Sequence, residues 1–143
     1  MKRLVVIYGS ASIGKTSVLD RLAMKIRNTG GSLVHPSSSN EINGFMIADI
    51  FGKRVGVITF GDPGCEKEMK DCLDKCLAQG CDIIFTASRT RGEVRGIERT
   101  FALDNGYQVL LTSPLDTDGP RIDTPEIKYL HQIFADMLYL LIL

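Results

Sequence analysis

The residues that follow the first apolar run have the types and spacing of a phosphate-binding loop. Gly9 is followed by four residues and then by Gly14, Lys15 and Thr16, which fits the pattern Gly-x-x-x-x-Gly-Lys-Thr. Glycines let a backbone curl closely around a phosphate, and the amide groups of such a loop can point inward. The lysine can reach the β- and γ-phosphates, and the threonine hydroxyl can bind Mg²⁺. The spacing therefore predicts a site for a nucleoside triphosphate with Mg²⁺.

The elements on either side of this loop support that interpretation. The apolar run 4–7 predicts a buried strand, and an amphipathic helix is predicted from about Lys15 to Asn28. The helix adds the positive end of its dipole to the loop. A glycine turn that binds nothing is the alternative, and the strand–loop–helix context favours the phosphate site. The predicted nucleotide-binding residues are Gly9, Ser10, Ala11, Ser12, Ile13, Gly14, Lys15, Thr16 and Ser17.

Two arginines follow the fourth predicted strand. Arg89 and Arg91 are expected at the same sheet edge as the loop. Guanidinium groups match phosphate oxygens and can stabilise charge during phosphoryl transfer. With Lys15 they are the predicted catalytic residues, although a purely structural role for both arginines stays equally open. Arg95 and Arg99 lie on the next predicted helix, where a solvated surface is favoured over a functional role.

The order of the predicted elements defines the fold class. Strands alternate with helices, which predicts a parallel sheet covered on both faces. We expect a single α/β domain over residues 1–143 with three layers and a mainly parallel five-stranded sheet that has one antiparallel edge strand. Segment 29–43 is predicted to be a long loop. The strands are predicted at 4–7, 45–51, 54–60, 82–87 and 107–112, and the helices at about 15–28, 66–79, 93–105 and from 125 onward.

With these features the chain resembles the P-loop NTPase superfamily, and the predicted hairpin after the first helix is similar to its kinase–GTPase branch. The resemblance implies the fold above, with ATP or GTP and Mg²⁺ as cofactors. It also implies that Asp62, at the end of an apolar strand, binds the metal together with Thr16. The alternative for Asp62 is a plain turn, since Asp-Pro-Gly initiates turns for local reasons.

The base and the reaction are less well defined by the sequence. GTPases that read guanine carry Asn-Lys-x-Asp after the fifth strand, where this chain has Ser113, Pro114, Leu115 and Asp116. ATP is therefore favoured over GTP. One hypothesis is an NTPase or kinase that transfers phosphate to an unknown small acceptor. The other is a regulatory module that binds a partner protein and turns over slowly, because no general base is evident.

Composition excludes several other classes of protein. The chain has 17 basic and 17 acidic residues, so no overall positive field favours nucleic acid or an anionic membrane. No run approaches the roughly 20 apolar residues that a membrane span needs. We expect a cytoplasmic protein whose four cysteines are free thiols. The apolar end at 138–143 is expected to pack into the core, or to form a homodimer surface.

Overall fold

The computed structural model describes residues 2–9, 14–36, 44–89, 92–114 and 125–143. Helices and strands alternate along most of the chain, as predicted. In chain order the elements are β1 (Arg3–Tyr8), α1 (Lys15–Asn28), β2 (Ser32–His35), β3 (Phe45–Ile50), β4 (Lys53–Ile58), α2 (Glu66–Ala78), β5 (Ile83–Ser88), α3 (Glu93–Asn105), β6 (Gln108–Thr112) and α4 (Pro125–Leu140).

The strands form one sheet in the order β2-β3-β4-β5-β1-β6. Strands β4, β5, β1 and β6 pair in parallel, and β3 is antiparallel to both of its neighbours. The predicted fold class, a mainly parallel α/β sheet between helix layers, is confirmed. The predicted number of five strands is wrong, since the described residues already form six, and the antiparallel strand β3 lies one position inside the edge.

The additional strand, β2, falls inside the segment 29–43 that was predicted to be a loop. Its four residues include only two apolar side chains, Leu33 and Val34, and it is incompletely buried. Such a short segment has no clear strand pattern of its own. Pairing with β3 stabilises it, with Ser32 opposite Asp49. The tertiary context, rather than local propensity, makes this segment a strand.

The turn between β3 and β4 consists of Phe51 and Gly52. Both have positive φ, 54° and 71°, which is the conformation of the two-residue turn that suits the twist of a hairpin. The hairpin prediction is therefore confirmed, with its turn one residue earlier than the predicted Gly52-Lys53 link. Phe51 adopts this conformation although it is not glycine. Its ring packs edge-on against the Tyr139 ring, with the two ring centroids 5.7 Å apart.

The helices cover the two faces of the sheet. One apolar layer joins the sheet to α1 and α4, and the other joins it to α2 and α3. Alternate residues of β1 serve the two layers, with Val5 on the first and Val6 on the second. The carboxyl ends of β1, β4 and β5 lie at one edge, where the loop enters α1. Within the described ranges, no helix is both long enough and apolar enough to cross a membrane.

Candidate functional site

The phosphate loop connects the end of β1 to the start of α1. Gly9 and Gly14 have φ angles of 147° and 93°, which residues with a Cβ rarely adopt. The Gly9 N–H donates a hydrogen bond to the Ser88 carbonyl at 3.1 Å, which fixes the start of the loop to the end of β5. The predicted binding residues Ser10, Ala11, Ser12 and Ile13 lie outside the described residues.

Lys15 is buried at the beginning of α1, with its ammonium group inside the site. The Nζ atom donates to the Gly9 carbonyl at 2.7 Å and to the Ser88 carbonyl at 3.2 Å. It also lies 3.8 Å from Oδ1 of Asp62. Burial lowers the pKa of Lys15, and the charge of Asp62 opposes that shift. The structure therefore holds a desolvated ammonium at the point where the sequence predicts a phosphate.

Thr16 extends from α1 toward the end of β4. Its hydroxyl donates to the Thr59 carbonyl at 3.1 Å, and Thr59 is in turn bonded through its N–H to the Gly44 carbonyl at 2.9 Å. Thr59 lies three residues before Asp62 along the chain, so both predicted metal ligands belong to the same end of the sheet. Sequence spacing gives no sign of the contact with Thr59, because it joins two distant elements.

Asp62 contacts two of the predicted catalytic residues. Arg89 Nε donates to Oδ1 at 2.9 Å, and this is the oxygen that Lys15 approaches. The Asp62 side chain is 58% exposed, so it is accessible to a solvated ion. A hydroxyl and a carboxylate are hard oxygen donors of the kind Mg²⁺ uses together with phosphate oxygens and water. Thr16 and Asp62 therefore fit the metal predicted for them.

The order of the strands explains why Arg89 reaches Asp62. Strand β5 lies between β1 and β4, so its end separates the phosphate loop from the Asp62 turn. The Ser88 carbonyl accepts from Gly9 and Lys15, and the next residue, Arg89, turns toward Asp62. The structure thus brings together Lys15, Asp62 and Arg89. The third predicted catalytic residue, Arg91, lies outside the described residues.

His131 contacts the loop from α4, which the sequence does not predict. A Cβ placed on Gly14 would overlap the His131 imidazole, so the ring lies directly against the backbone of the loop. His131 is buried, with 7% of its surface exposed. Because α4 is the last helix in the chain, spacing alone gives no reason to connect it with Gly14.

Glu98 is a second residue near the site that the sequence does not single out. On α3 it takes a core-facing position and is completely buried, although it lies between Arg95 and Arg99, for which the sequence predicts a solvated surface. Burial raises the pKa of Glu98 to about 7, against the opposing effects of the nearby Thr86 and Ser88 hydroxyls and of Arg95 and Lys15. The predicted solvated face holds for Arg99, which is exposed, while Arg95 is half-buried.

Two cavities open beside these residues. The larger, about 780 Å³, begins at Thr16 and Ser17 and continues between α1 and α4 toward Asp136. The smaller, about 250 Å³, lies beside Arg89 and is bounded by Glu66 at the start of α2 and Glu93 at the start of α3. Size favours the first as a ligand site. The residue types favour the smaller cavity as the place of a molecule that would react with a phosphate, because Arg89 and the turn around Asp62 form its wall.

Comparison with known proteins adds a distant structural match. No protein-family model matches the chain, and no curated protein matches it. Among solved structures, an APS kinase of Mycobacterium tuberculosis is similar at 14% identity with a TM-score of 0.46, over 96% of this chain and 99% of that one. A match at this level does not identify a substrate or a reaction for the present chain.

Proposed function

We propose that this protein binds a nucleoside triphosphate, with ATP favoured, together with Mg²⁺, and hydrolyses it or transfers its terminal phosphoryl group to a small acceptor. The observation that carries the proposal is the position of Lys15. Its buried ammonium lies between the ends of β1 and β5, bonded to the Gly9 and Ser88 carbonyls and close to Asp62. An ammonium that is removed from water, with two carbonyls as its hydrogen-bond acceptors and one partly exposed carboxylate nearby, gains strongly from a further anionic partner.

Each residue of the site has a distinct task in this proposal. The loop amides and Lys15 bind the phosphate chain, and Thr16 and Asp62 would hold Mg²⁺, which supplies charge neutralisation on the phosphates. Arg89 donates a hydrogen bond to Asp62, which holds its guanidinium group at the edge of the site. A planar guanidinium next to the terminal phosphate stabilises the charge that develops on it during transfer.

The smaller cavity is the proposed place of the acceptor. Its lining combines Arg89 with the apolar surfaces of Pro63 and Val94 and with the carboxylates Glu66 and Glu93. A volume of about 250 Å³ lies below the usual range for drug-sized ligands, roughly 300–1,000 Å³. The acceptor is therefore expected to be a small molecule, and Glu66 and Glu93 are the carboxylates of the lining that could accept its proton.

One observation favours the second candidate function, a nucleotide-dependent switch with slow turnover. The Glu66 carboxylate accepts a hydrogen bond from the Gly64 N–H at 3.2 Å, so this candidate base already has a partner in the turn that follows Asp62. In a switch, nucleotide would rearrange this turn for a partner protein. Capture of a partner only in the presence of a non-hydrolysable triphosphate would favour the switch over the kinase.

A thermal-shift screen tests the proposed function. ATP, GTP and their diphosphates are compared with and without Mg²⁺, and small acceptors are then added to the best nucleotide while turnover is measured. A ligand at about 100 times its dissociation constant stabilises the fold by about 2.7 kcal/mol. We expect the triphosphate with Mg²⁺ to give the largest shift. The proposal is wrong if no nucleotide raises the melting temperature at millimolar concentration.

A further inference from the structure

A cluster of buried polar groups lies between β5 and α3, next to Ser88, whose carbonyl accepts hydrogen bonds from Lys15 and Gly9. Glu98 is completely buried at a position of α3 whose neighbours on the same face, Val94 and Phe101, are apolar. Within the described part of the chain, several fully buried polar atoms of this cluster make no aligned hydrogen bond. They are Thr86 Oγ1, Arg95 Nη1 and both carboxylate oxygens of Glu98.

Among the described residues, none makes a well-aligned hydrogen bond to the Glu98 carboxyl. The Thr86 and Ser88 hydroxyls are close enough to influence its pKa, but the Ser88 hydroxyl donates to the Arg89 carbonyl at 2.8 Å instead. Unpaired buried carboxylates are strongly disfavoured, and such groups become neutral when the supporting charges are weak. The protonation of Glu98 therefore depends on the few charges around it.

Those charges connect Glu98 to the phosphate loop. Arg95 on its own helix and Lys15 on α1 are the cations that act on the carboxyl, while β5 contributes only neutral hydroxyls. In the same layer, β1 adds Tyr8, and α2 contributes apolar side chains such as Met69. Lys15 is the one of these groups that a bound phosphate would contact, so the charge acting on Glu98 changes when the loop is occupied.

We propose that Glu98 is a buried positioning residue between β5 and α3 whose carboxylate is protonated in a larger fraction of molecules when a polyphosphate binds. This inference rests on the proposed function. In the empty site, Lys15 supports the ionised carboxylate. Bound phosphates neutralise Lys15, so a proton from solvent adds to a carboxylate oxygen and leaves a neutral acid that can donate to the Thr86 hydroxyl. The protein would then hold the polyphosphate without a second buried negative charge nearby.

The pKa of Glu98, raised to about 7, agrees with this role. A group with that pKa is partly ionised near neutral pH, so a modest change in the surrounding charge alters its protonation. When the charge of Lys15 is neutralised, the ionised carboxylate of Glu98 loses support and the neutral carboxylic acid is favoured. Near pH 7.5, an upward shift of about one unit corresponds to uptake of roughly half a proton.

The test is calorimetric titration of the full chain with Mg-ATP in buffers that differ in ionisation enthalpy. The phosphates of Mg-ATP are fully ionised near pH 7.5, so they release no proton. We expect the wild type to take up roughly half a proton. Glu98→Gln keeps the shape but cannot titrate, and it should bind within a few-fold of wild type with proton uptake near zero. Asp104→Asn, which changes an exposed acid at the far end of α3, should behave like wild type.

The outcomes separate this inference from the proposed function. Binding with equal proton uptake in wild type and Glu98→Gln overturns the role of Glu98, because another group, such as Lys15, would then be titrating. Binding without uptake in the wild type also overturns it and leaves the proposed function standing, whereas absence of binding overturns both. If Glu98→Gln does not fold, infrared difference spectra of the wild type decide. A protonated-carboxyl band must grow when Mg-ATP is added.

Discussion

At the scale of single residues, Ser88 and Gly14 organise the site although neither carries its chemistry. The Ser88 carbonyl accepts hydrogen bonds from the Gly9 N–H and from Lys15, which ties the loop and its lysine to β5. Gly14 allows the left-handed turn before α1 and leaves room for His131. The geometry of the site therefore depends on backbone groups as much as on the residues that would contact a nucleotide.

Gly14→Ala should disrupt the loop for two separate reasons. Its φ of 93° disfavours a side chain, and the new methyl group would overlap the His131 ring. We expect a loss of at least about 1 kcal/mol in the free energy of unfolding and loss of nucleotide binding. Chemical denaturation and thermal shift with Mg-ATP measure both.

A matched control for this prediction is Gly96→Ala. Gly96 lies within α3, and a Cβ added there meets open space. That variant should gain up to about 1 kcal/mol from helix propensity. Adding His131→Ala to Gly14→Ala should recover part of the lost stability, since it removes the overlap but not the backbone strain. Full retention of binding in Gly14→Ala would contradict the described loop geometry.

Arg89→Gln should lower turnover while leaving the stability of the fold almost unchanged. The Arg89–Asp62 pair is partly exposed, at 36% and 58% of the side chains, and such pairs contribute about 0–1 kcal/mol. The melting temperature should barely change, while phosphoryl transfer or hydrolysis should fall on the order of a hundredfold if Arg89 stabilises the transferring group. Arg99→Gln, an exposed arginine on α3, is the control. Equal turnover in the two variants would remove Arg89 from the mechanism.

The sequence predicts the residues of the site better than their contacts. Lys15 and Thr16 are proposed from local spacing, and Asp62 is proposed from the resemblance to P-loop NTPases. The contacts Thr16–Thr59 and Gly14–His131 depend on how distant elements pack, which no local pattern encodes. Glu98 is missed for a different reason, because a glutamate between arginines on a helix is typical of a solvated surface.

At the scale of elements, the position of β5 between β1 and β4 determines which residues meet. Alternation of strands and helices predicts a parallel sheet, but it does not determine the order of the strands. Every predicted strand and helix is present, and α1 and α3 have the predicted bounds. The strand β2 is not predicted, because its segment lacks both length and alternation and becomes a strand only by pairing with β3.

The close packing of α2 on β4 can be tested with a double-mutant cycle. A Cβ on Gly56 would lie 2.6 Å from Cys76 Sγ, and Cys76 is fully buried. Gly56→Ala should destabilise the fold by about 1–3 kcal/mol through overpacking. Cys76→Ala makes room for the new methyl group, so the double variant should be more stable than the sum of the single effects by about 0.5 kcal/mol or more.

Urea denaturation of the four proteins measures this coupling energy. Additive effects would show that Gly56 and Cys76 do not pack against each other. Gly80→Ala is a useful reference for backbone effects alone, because Gly80 has a φ of 70° and a Cβ there meets nothing within 4 Å. It should destabilise through strain and show no coupling to Cys76→Ala.

At the scale of the whole molecule, the buried Glu98 should make stability depend on pH in a direction unusual for an acid. Its pKa in the folded protein is about 7, against 4.5 when exposed. The folded state then binds more protons than the unfolded state between these values, so the contribution of Glu98 to stability is lost as pH rises. A shift of this size corresponds to about 3 kcal/mol.

The comparison of wild type with Glu98→Gln isolates this contribution. At pH 4 the two proteins should be similarly stable, and at pH 8 the variant should be the more stable by up to about 3 kcal/mol. Denaturation curves over that range provide the measurement. A difference that does not vary with pH would mean that Glu98 has an ordinary pKa in the folded protein.

The central feature of the site is the buried ammonium of Lys15, whose described ion-pair partner is Asp62 at 3.8 Å. Calorimetric titration of wild type and Lys15→Ala with ATP and Mg²⁺ tests this directly. The account predicts saturable heat with one nucleotide per chain for the wild type, and affinity reduced at least tenfold, or about 1.4 kcal/mol, for the variant. No heat with the wild type, or equal affinity in both proteins, would contradict it.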